Sequence, residues 1–317
     1  MGCEDLYDIV DAHECYLSDF FGDTIAIDST FWFDRYYHKV VKDSFSEETL
    51  AVGNQYYISQ TVSLLTSIPH LISNDITPVF FFDPMRRNPY PKSGAEIPYL
   101  ERSPTSEASK QFPFLQRSTE LVLNYLDITY YESPMYAEAD ASKYVQTGKA
   151  DVVASDDYDT LLYGAPETMR KKPYSNRWER IKLDETMRQN DIDYRELLDV
   201  AILTGTDENI GPYKNHITEA LEKVRGANEL DELEEAENCN LRAPSGKITD
   251  DAPSFTELHE IFRNPPLSYK LQNDDFDDVD PSLSDPNLAL LTRYLDQMLK
   301  LDEEVIDDLI TPISQEL

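Results

Sequence analysis

Residues 138–166 read EADASKYVQTGKADVVASDDYDTLLYGAP. An amphipathic stretch closes at Gly148, a short strand candidate (DVVA, Asp151–Ala154) follows, and Asp157 and Asp159 come just after it. A helix handing over to a short buried strand with acids at its end is the repeating unit of a mostly parallel sheet covered by helices. The same unit recurs outward along the chain. TIAID (Thr24–Asp28) and PVFFFD (Pro78–Asp83) are apolar runs that each end in Asp, and Ile128–Tyr131 is a further strand candidate. Between them the periodicity predicts helices over Phe31–Lys42, Glu47–Ile68 and Thr119–Leu126. Another is predicted over Ser133–Gln146, with Ser133 as N-cap and Pro134 at the first helical position. Beyond Tyr194 the pattern turns helical: Tyr194–Thr204, Pro212–Arg225, and Asn287–Ile310 with breaks. The fold class expected is α/β, with a central sheet carrying helices on both faces.

In an open parallel sheet the carboxyl ends of neighbouring strands converge on one crevice, where ligands bind. Asp28, Asp83, Asp157 and Asp159 all fall at such ends. Glu138 and Asp140 on the helix after Ser133, and Asp207 in ILTGTD, add three more acids. Glu138 and Asp140 are two apart and point to opposite sides of a regular helix, so one is expected to bind directly and the other through water. Seven carboxylates in one crevice repel one another and are driven to protonate unless cations sit among them. Hard divalent ions match all-oxygen ligands, and the absence of His from these motifs argues against zinc. The chemistry expected is phosphodiester hydrolysis assisted by two Mg²⁺ ions, with Mn²⁺ as a substitute.

As a set, these motifs resemble the structure-specific 5′ nuclease family, the flap endonucleases and xeroderma pigmentosum group G nucleases, built on a PIN-like fold. The similarity runs through Met1-Gly2, AIDST at Ala26, VFFFDP at Val79, the stretch from Glu138, and LDVAILTGTD from Leu198, in the family's order. FTELHEIFRNPP and SDPNLALLTRYLDQML resemble its closing helices. The resemblance implies an Mg²⁺-dependent nuclease acting on DNA with 5′ flaps or single-strand/duplex junctions in replication and repair. It puts the metal acids at Asp28, Asp83, Glu138, Asp140, Asp157, Asp159 and Asp207, with Asp140 where glutamate is usual. It implies a core over 1–226, with a short arch in 84–119 and a reduced helix-hairpin-helix-like element in 195–226. An acidic exposed segment over 227–253 and C-terminal helices over 254–317 packing on the core complete the expected organisation. Lys92, in KSG, is the candidate cation for the scissile phosphate and Arg102 the second. Gly2, Gly211 and Lys214 are further candidate DNA contacts. The hairpin survives as Asn209-Ile210-Gly211-Pro212-Tyr213-Lys214, without the glycine-rich lead-in that accompanies K⁺ binding. PISQEL gives no support to sliding-clamp binding, and a monomer is expected.

Charge is the main objection to a DNA enzyme. The chain has 61 acidic and 28 basic residues among 317, a formal charge of −33. Such a body repels a duplex, whose affinity for proteins comes largely from Lys and Arg on phosphates. Yet residues 84–119 hold six Lys/Arg against three acids, and 168–182 hold six against one. Arg170, Lys171 and Lys172 in the second island are therefore candidate DNA contacts, an ordinary solvated hairpin being the alternative. The remaining acid excess reads as adaptation to molar salt, where repulsion is screened within about 3 Å. Three scattered cysteines fit no disulfide framework, and no apolar run reaches the length of a membrane span. A high-salt cytoplasm without membrane attachment is expected. The aromatic run at Phe31–Tyr37 is expected to be mostly core, and the five His residues to be surface or capping groups. Two alternatives remain: a 5′–3′ exonuclease or RNA-directed PIN-like nuclease, which fits a shortened arch, and a catalytically silent DNA-binding scaffold, which retention of every acid disfavours.

Overall fold

The computed structural model describes residues 3–30, 32, 55–84, 107–172, 177–226, 253–268, 271 and 286–317. Among them seven strands form one sheet: β1 (Ala12–Cys15), β2 (Thr24–Asp28), β3 (Thr77–Phe82), β4 (Tyr130–Glu132), β5 (Val152–Ala154), β6 (Glu167–Lys171) and β7 (Trp178–Lys182). Their order is β1-β7-β6-β5-β2-β3-β4. The five strands from β6 to β4 run parallel, whereas β7 is antiparallel to both β6 and β1. This is the mostly parallel sheet expected, with strands β5, β2 and β3 side by side at its centre.

The period-two alternation of the central strands divides the core into two faces. Ile25, Ile27, Phe80, Phe82, Val152 and Ala154 point to one side. There they pack with α1 (Gln55–Ile72), α2 (Glu107–Tyr125), α9 (Leu288–Gln297) and α10 (Glu303–Glu316). Ala26, Val79, Phe81 and Val153 point to the other, against Ala137, Ala141, Tyr144 and Val145 of α3 (Ala137–Gln146). Phe80 and Phe81 are fully buried on opposite faces, each contributing about 2–3 kcal/mol of apolar transfer. The short α4 (Asp159–Leu162), with α6 (Tyr194–Thr204), α7 (Ile217–Gly226) and α8 (Phe255–Arg263), supplies much of a third cluster that includes Leu6. Helix α5 (Leu183–Asn190) follows β7 directly.

Several boundaries differ from the sequence expectation. Helix α1 extends to Ile72 and tolerates Pro69 inside it. Helix α2 starts at Glu107 and runs through Pro113, so the last part of the stretch read as arch is helical. Helix α3 begins at Ala137 after Tyr136, without a side-chain cap; Ser133 is buried and its hydroxyl caps nothing. What replaces the missing cap is Asp83, whose Oδ1 accepts from the Ala137 N–H at 3.0 Å. The stop at Gly148 holds, with φ +74° just past the C-cap residue Thr147. Residues 212–216 form a turn before α7, which starts at Ile217 rather than Pro212. Of the aromatic run, Trp32 is core: it is 1% exposed, stacks on Trp178 at 5.8 Å between ring centroids, and donates to Ser67 Oγ at 2.8 Å. The rest of that run and the acidic segments at 228–252 and 273–280 lie outside the described residues.

Candidate active site

Because β5, β2 and β3 are adjacent and parallel, Asp157, Asp28 and Asp83 emerge from one end of the sheet on neighbouring strands. Two short hydroxyl side chains lace them together. Thr30 donates its backbone N–H to Asp28 Oδ1 and its Oγ1 hydroxyl to Asp83 Oδ2, both at 3.0 Å. Ser155 donates its hydroxyl to Asp28 Oδ2 at 3.0 Å and accepts the Asp157 N–H at 3.1 Å. Asp157 Oδ1 in turn accepts the Asp159 N–H at 3.1 Å, an Asx-type turn that starts α4. Asp159 is 4% exposed and accepts the Cys3 N–H at 2.9 Å, which ties the N-terminal segment to the crevice.

The electrostatics show which acids share the site. Burial pushes Glu138 well above the ordinary carboxylate range, and the negative charges of Asp83, Asp28 and Asp157 push it further. Asp159 is raised by burial and then by Asp157 and Asp207. Asp83 is raised by burial, opposed by its bonds from Ala137 and Thr30. Six carboxylates, Asp28, Asp83, Glu138, Asp157, Asp159 and Asp207, are thus linked through charge or shared hydrogen bonds. A group of oxygens that hold one another towards protonation is the donor set that hard divalent cations relieve.

Asp140 is the exception. The two-residue offset turns it to the opposite side of α3, where it is fully buried and accepts the Ser268 N–H at 3.2 Å from Oδ1 and 3.4 Å from Oδ2. Burial raises it to about 6, countered by Ser268 and Ser133, and none of the six crevice acids contributes to that rise. Asp140 therefore anchors the segment after α8 to α3 and does not join the cluster, contrary to the sequence expectation.

One acid missed by the sequence reading does join. Glu208 is 8% exposed, follows Asp207, and accepts a hydrogen bond from the Tyr136 hydroxyl. Burial brings it to about 7, with Asp207 adding to the rise. Its position depends on a close-packed turn. Gly205 has φ +110°, and a Cβ on Gly211 would lie 2.0 Å from the Leu203 carbonyl oxygen. Thr206 and Asn209 bond one another across the turn, and Asn209 Nδ2 donates to the Ile202 carbonyl at 2.8 Å. Gly211 is thus explained by packing.

The basic island is a hairpin. Strand β6 pairs with β5 through Ala154 and Met169, so Arg170, Lys171 and Lys172 extend past β5 at the crevice end of the sheet. Arg170 donates to the Asp156 carbonyl at 3.0 Å and lies 3.9 Å from the Tyr158 ring centroid. Lys171 lies 4.5 Å from the Trp178 ring centroid, and Lys172 bonds Glu14 at 2.8 Å beside Arg177. These cations brace the hairpin against its own neighbours. Lys214 is exposed in the turn before α7. Gly2, Lys92 and Arg102 lie outside the described residues. His259 is neither surface nor cap: it is buried, and its Nε2 lies 2.6 Å from Asp199 Oδ1, joining α8 to α6. Among the described residues no helix is long and apolar enough to cross a membrane.

Comparison with known proteins gives a consistent picture. The XPG I-region matches residues 127–207, which carry Glu138, Asp157, Asp159 and Asp207. Flap endonuclease 1 of Haloquadratum walsbyi is 31% identical over 212 residues, covering 61% of this chain and 65% of that protein, just under two thirds of its length. Flap endonuclease 1 of Halobacterium salinarum is 26% identical over 327 residues, covering 96% and 94%. Among solved structures, the catalytic core of Rad2 in complex with DNA substrate superposes with a TM-score of 0.70 at 18% identity, over 98% of this chain and 99% of that one. Flap endonuclease-1 from Methanococcus jannaschii gives 0.69 at 22%, over 98% and 99%. The junction-resolving enzyme GEN1, in complex with product DNA and Mg²⁺, gives 0.63 at 17%, over 99% and 77%.

Proposed function

We propose that this chain, which resembles the structure-specific 5′ nuclease family, is a metal-dependent nuclease that hydrolyses DNA phosphodiesters near single-strand/duplex junctions. The observation that carries this reading is the convergence of Asp28, Asp83 and Asp157 from three adjacent parallel strands, with Glu138, Asp159 and Asp207 closing the group. The DNA-bound and Mg²⁺-bound structures of its relatives in fold support the same substrate class and ion.

The residues present fit a pair of Mg²⁺ ions. All donors are carboxylate oxygens, and Glu138 and Asp159 are held above their ordinary pKa by burial and then by the charge of neighbouring acids, so divalent cations would return them to the ionised form. When bound, such ions supply an activated water and charge neutralisation at the phosphate. The chain's own groups do the positioning. Thr30 fixes the angle between Asp28 and Asp83, and Ser155 that between Asp28 and Asp157. The Ala137 N–H on Asp83 sets the start of the helix that carries Glu138. The Cys3 N–H holds Asp159. Preorganisation of this kind places charge where the transition state needs it.

For the phosphate itself, Lys92 and Arg102 remain the cations implied by the resemblance. Lys172 and Arg177, solvent-accessible and paired with Glu14 at the hairpin end, are cations that DNA phosphates can draw from that carboxylate. A cleavage panel tests the reading: a 5′-flap duplex, a nicked duplex and single-stranded RNA, each with Mg²⁺ and with EDTA in molar KCl. Mg²⁺-dependent cuts at the flap junction are expected. Cleavage of the RNA alone would favour the RNA-directed alternative, and no cleavage of any substrate the silent scaffold.

A further inference from the structure

We propose that Asp11, His13 and Glu185 form a binding site for a divalent transition-metal ion of the Zn²⁺ class, apart from the crevice and independent of the nuclease reading. Asp11 immediately precedes β1, His13 is the second residue of that strand, and Glu185 lies in the first turn of α5, so two elements far apart in the chain supply the ligands. His13 Nε2 lies 3.4 Å from Asp11 Oδ1 and 3.6 Å from Glu185 Oε2. The three ligand atoms all fall within 4.8 Å of one another, a spread that a small rotation of the long Glu185 side chain closes. Ligands at about 2.1 Å from a tetrahedral Zn²⁺ stand about 3.4 Å apart, which is close to the spacing of both His13 pairs. By strand direction the start of β1, opposite the end of β7, is the end of the sheet away from the crevice.

Hydrogen bonding alone accounts poorly for this arrangement. Both separations exceed the roughly 2.7–3.2 Å of an N–H···O bond, and the single proton on Nε2 serves one carboxylate at a time. A metal ion serves both together. Neutral imidazole and two carboxylates offer two negative charges, which one divalent ion balances. Imidazole suits Zn²⁺, whereas Mg²⁺ is suited to the all-carboxylate crevice. The ligands are also held in place. The Asp11 N–H donates to Thr186 Oγ1 at 3.2 Å. The Gln189 amide nitrogen, one turn beyond Glu185 on α5, lies 3.3 Å from both Asp11 carboxylate oxygens in its hydrogen-bonding orientation. Lys182 Nζ is 3.6 Å from Glu185 Oε1, which leaves Oε2 to face His13. Outer partners of this kind fix the orientation of metal ligands. His13 is exposed and the two acids are half-buried, so the fourth position of a tetrahedral ion opens to water. An ion held there clasps β1 to α5.

The test titrates the full chain with Co²⁺, a spectroscopic stand-in for Zn²⁺, in molar KCl with excess Mg²⁺ to occupy the crevice carboxylates. Tetrahedral Co²⁺ absorbs strongly in the visible and octahedral Co²⁺ on oxygen ligands only weakly, so the spectrum tells the two sites apart. One equivalent of strongly absorbing Co²⁺ is expected, with its band bleached by Zn²⁺, and Zn²⁺ should raise the unfolding temperature. Losing an outer partner costs roughly 10–100-fold in metal affinity, so His13→Gln, which removes a ligand outright, should weaken Co²⁺ binding about 100-fold or more. Glu185→Gln should weaken it about 10-fold or more. Asp159→Asn, in the crevice, should leave the band unchanged. The inference is overturned if the unsubstituted protein gives no such band, or if either His13→Gln or Glu185→Gln binds Co²⁺ as the unsubstituted protein does. A band lost in Asp159→Asn would place the ion in the crevice and overturn it too. Should His13→Gln fail to fold, Glu185→Gln decides. The spectrum is read without DNA, so its result is separate from that of the cleavage panel.

Discussion

Replacing Asp140 with Asn should stabilise the metal-free protein at alkaline pH, the opposite of what removal of a hydrogen-bonded buried residue usually does. Burial lifts the Asp140 carboxyl from 3.8 to about 6 in the folded chain. The folded state therefore binds more protons than the unfolded state between those values, so stability falls as pH climbs from about 4 through about 6. Above that window, keeping the charge buried costs about 3 kcal/mol, from a difference of about 2 pH units at about 1.4 kcal/mol each. Asparagine removes the charge but keeps an oxygen to accept the Ser268 N–H, and the hydroxyl oxygens of Ser133 and Ser268 beside it can accept from its amide. A chain of this length shifts by about 1.5 °C per kcal/mol, so the variant should melt about 4 °C higher at about pH 8 in EDTA. At about pH 4 and below, where the carboxyl is protonated in both states, the gain should vanish. Thermal unfolding of both proteins across this range, by calorimetry, is the assay. A variant that melts lower at pH 8, or a gain that does not depend on pH, would refute the reasoning.

Further outcomes follow from the same structure. Gly211→Ala forces a Cβ to within 2.0 Å of the Leu203 carbonyl oxygen, and urea unfolding should register a loss of about 3 kcal/mol or more; a loss under about 1 kcal/mol would mean the turn gives way easily. His259→Ala strands Asp199 without its buried partner and should cost about 3–5 kcal/mol by the same measurement, while an unchanged urea midpoint would remove the pair as a link between α6 and α8. Raising KCl from dilute buffer to molar levels should increase the unfolding temperature, because the −33 body is then screened; a melting temperature that is highest in dilute buffer would contradict the halophilic reading.

The parts of this molecule that could be read from sequence are those in which one local rule acts alone. TIAID and PVFFFD are short apolar runs bounded by acids, and their strand character, parallel pairing and terminal Asp all follow from that pattern. The offset between Glu138 and Asp140 also predicted opposite sides of a helix. Which side faced the crevice depended on Ser268, 128 residues away in the chain. The start of α3 was misjudged because Ser133-Pro134 is a strong local start signal, but the Asp83 carboxylate supplies the cap three residues further on. Glu208 was passed over since nothing in ENIGPYK distinguishes a buried acid from a surface one; its burial comes from contact with Tyr136, across the fold. A faint signal existed in the two glycines that bracket ENI, since a turn needing Gly205 and Gly211 is one that packs closely. His259 lies at no ligand spacing, and its partner Asp199 is 60 residues distant in sequence. The basic hairpin was found correctly as a cluster, while its internal partners Glu14 and Trp178 became visible only once β1, β6 and β7 were placed side by side.

The most direct measurement of the central claim compares the unsubstituted protein with Asp159→Asn on a 5′-flap DNA in molar KCl with Mg²⁺, following single-turnover cleavage and DNA affinity together. Asp159 sits at the start of α4, held by Cys3 and coupled to Asp157 and Asp207, so its substitution should remove cation binding without disturbing the sheet. The account predicts junction cleavage by the unsubstituted protein, a loss of about 1,000-fold or more in the variant, and DNA affinity within a few-fold. Cleavage by Asp159→Asn at the rate of the unsubstituted protein would contradict it.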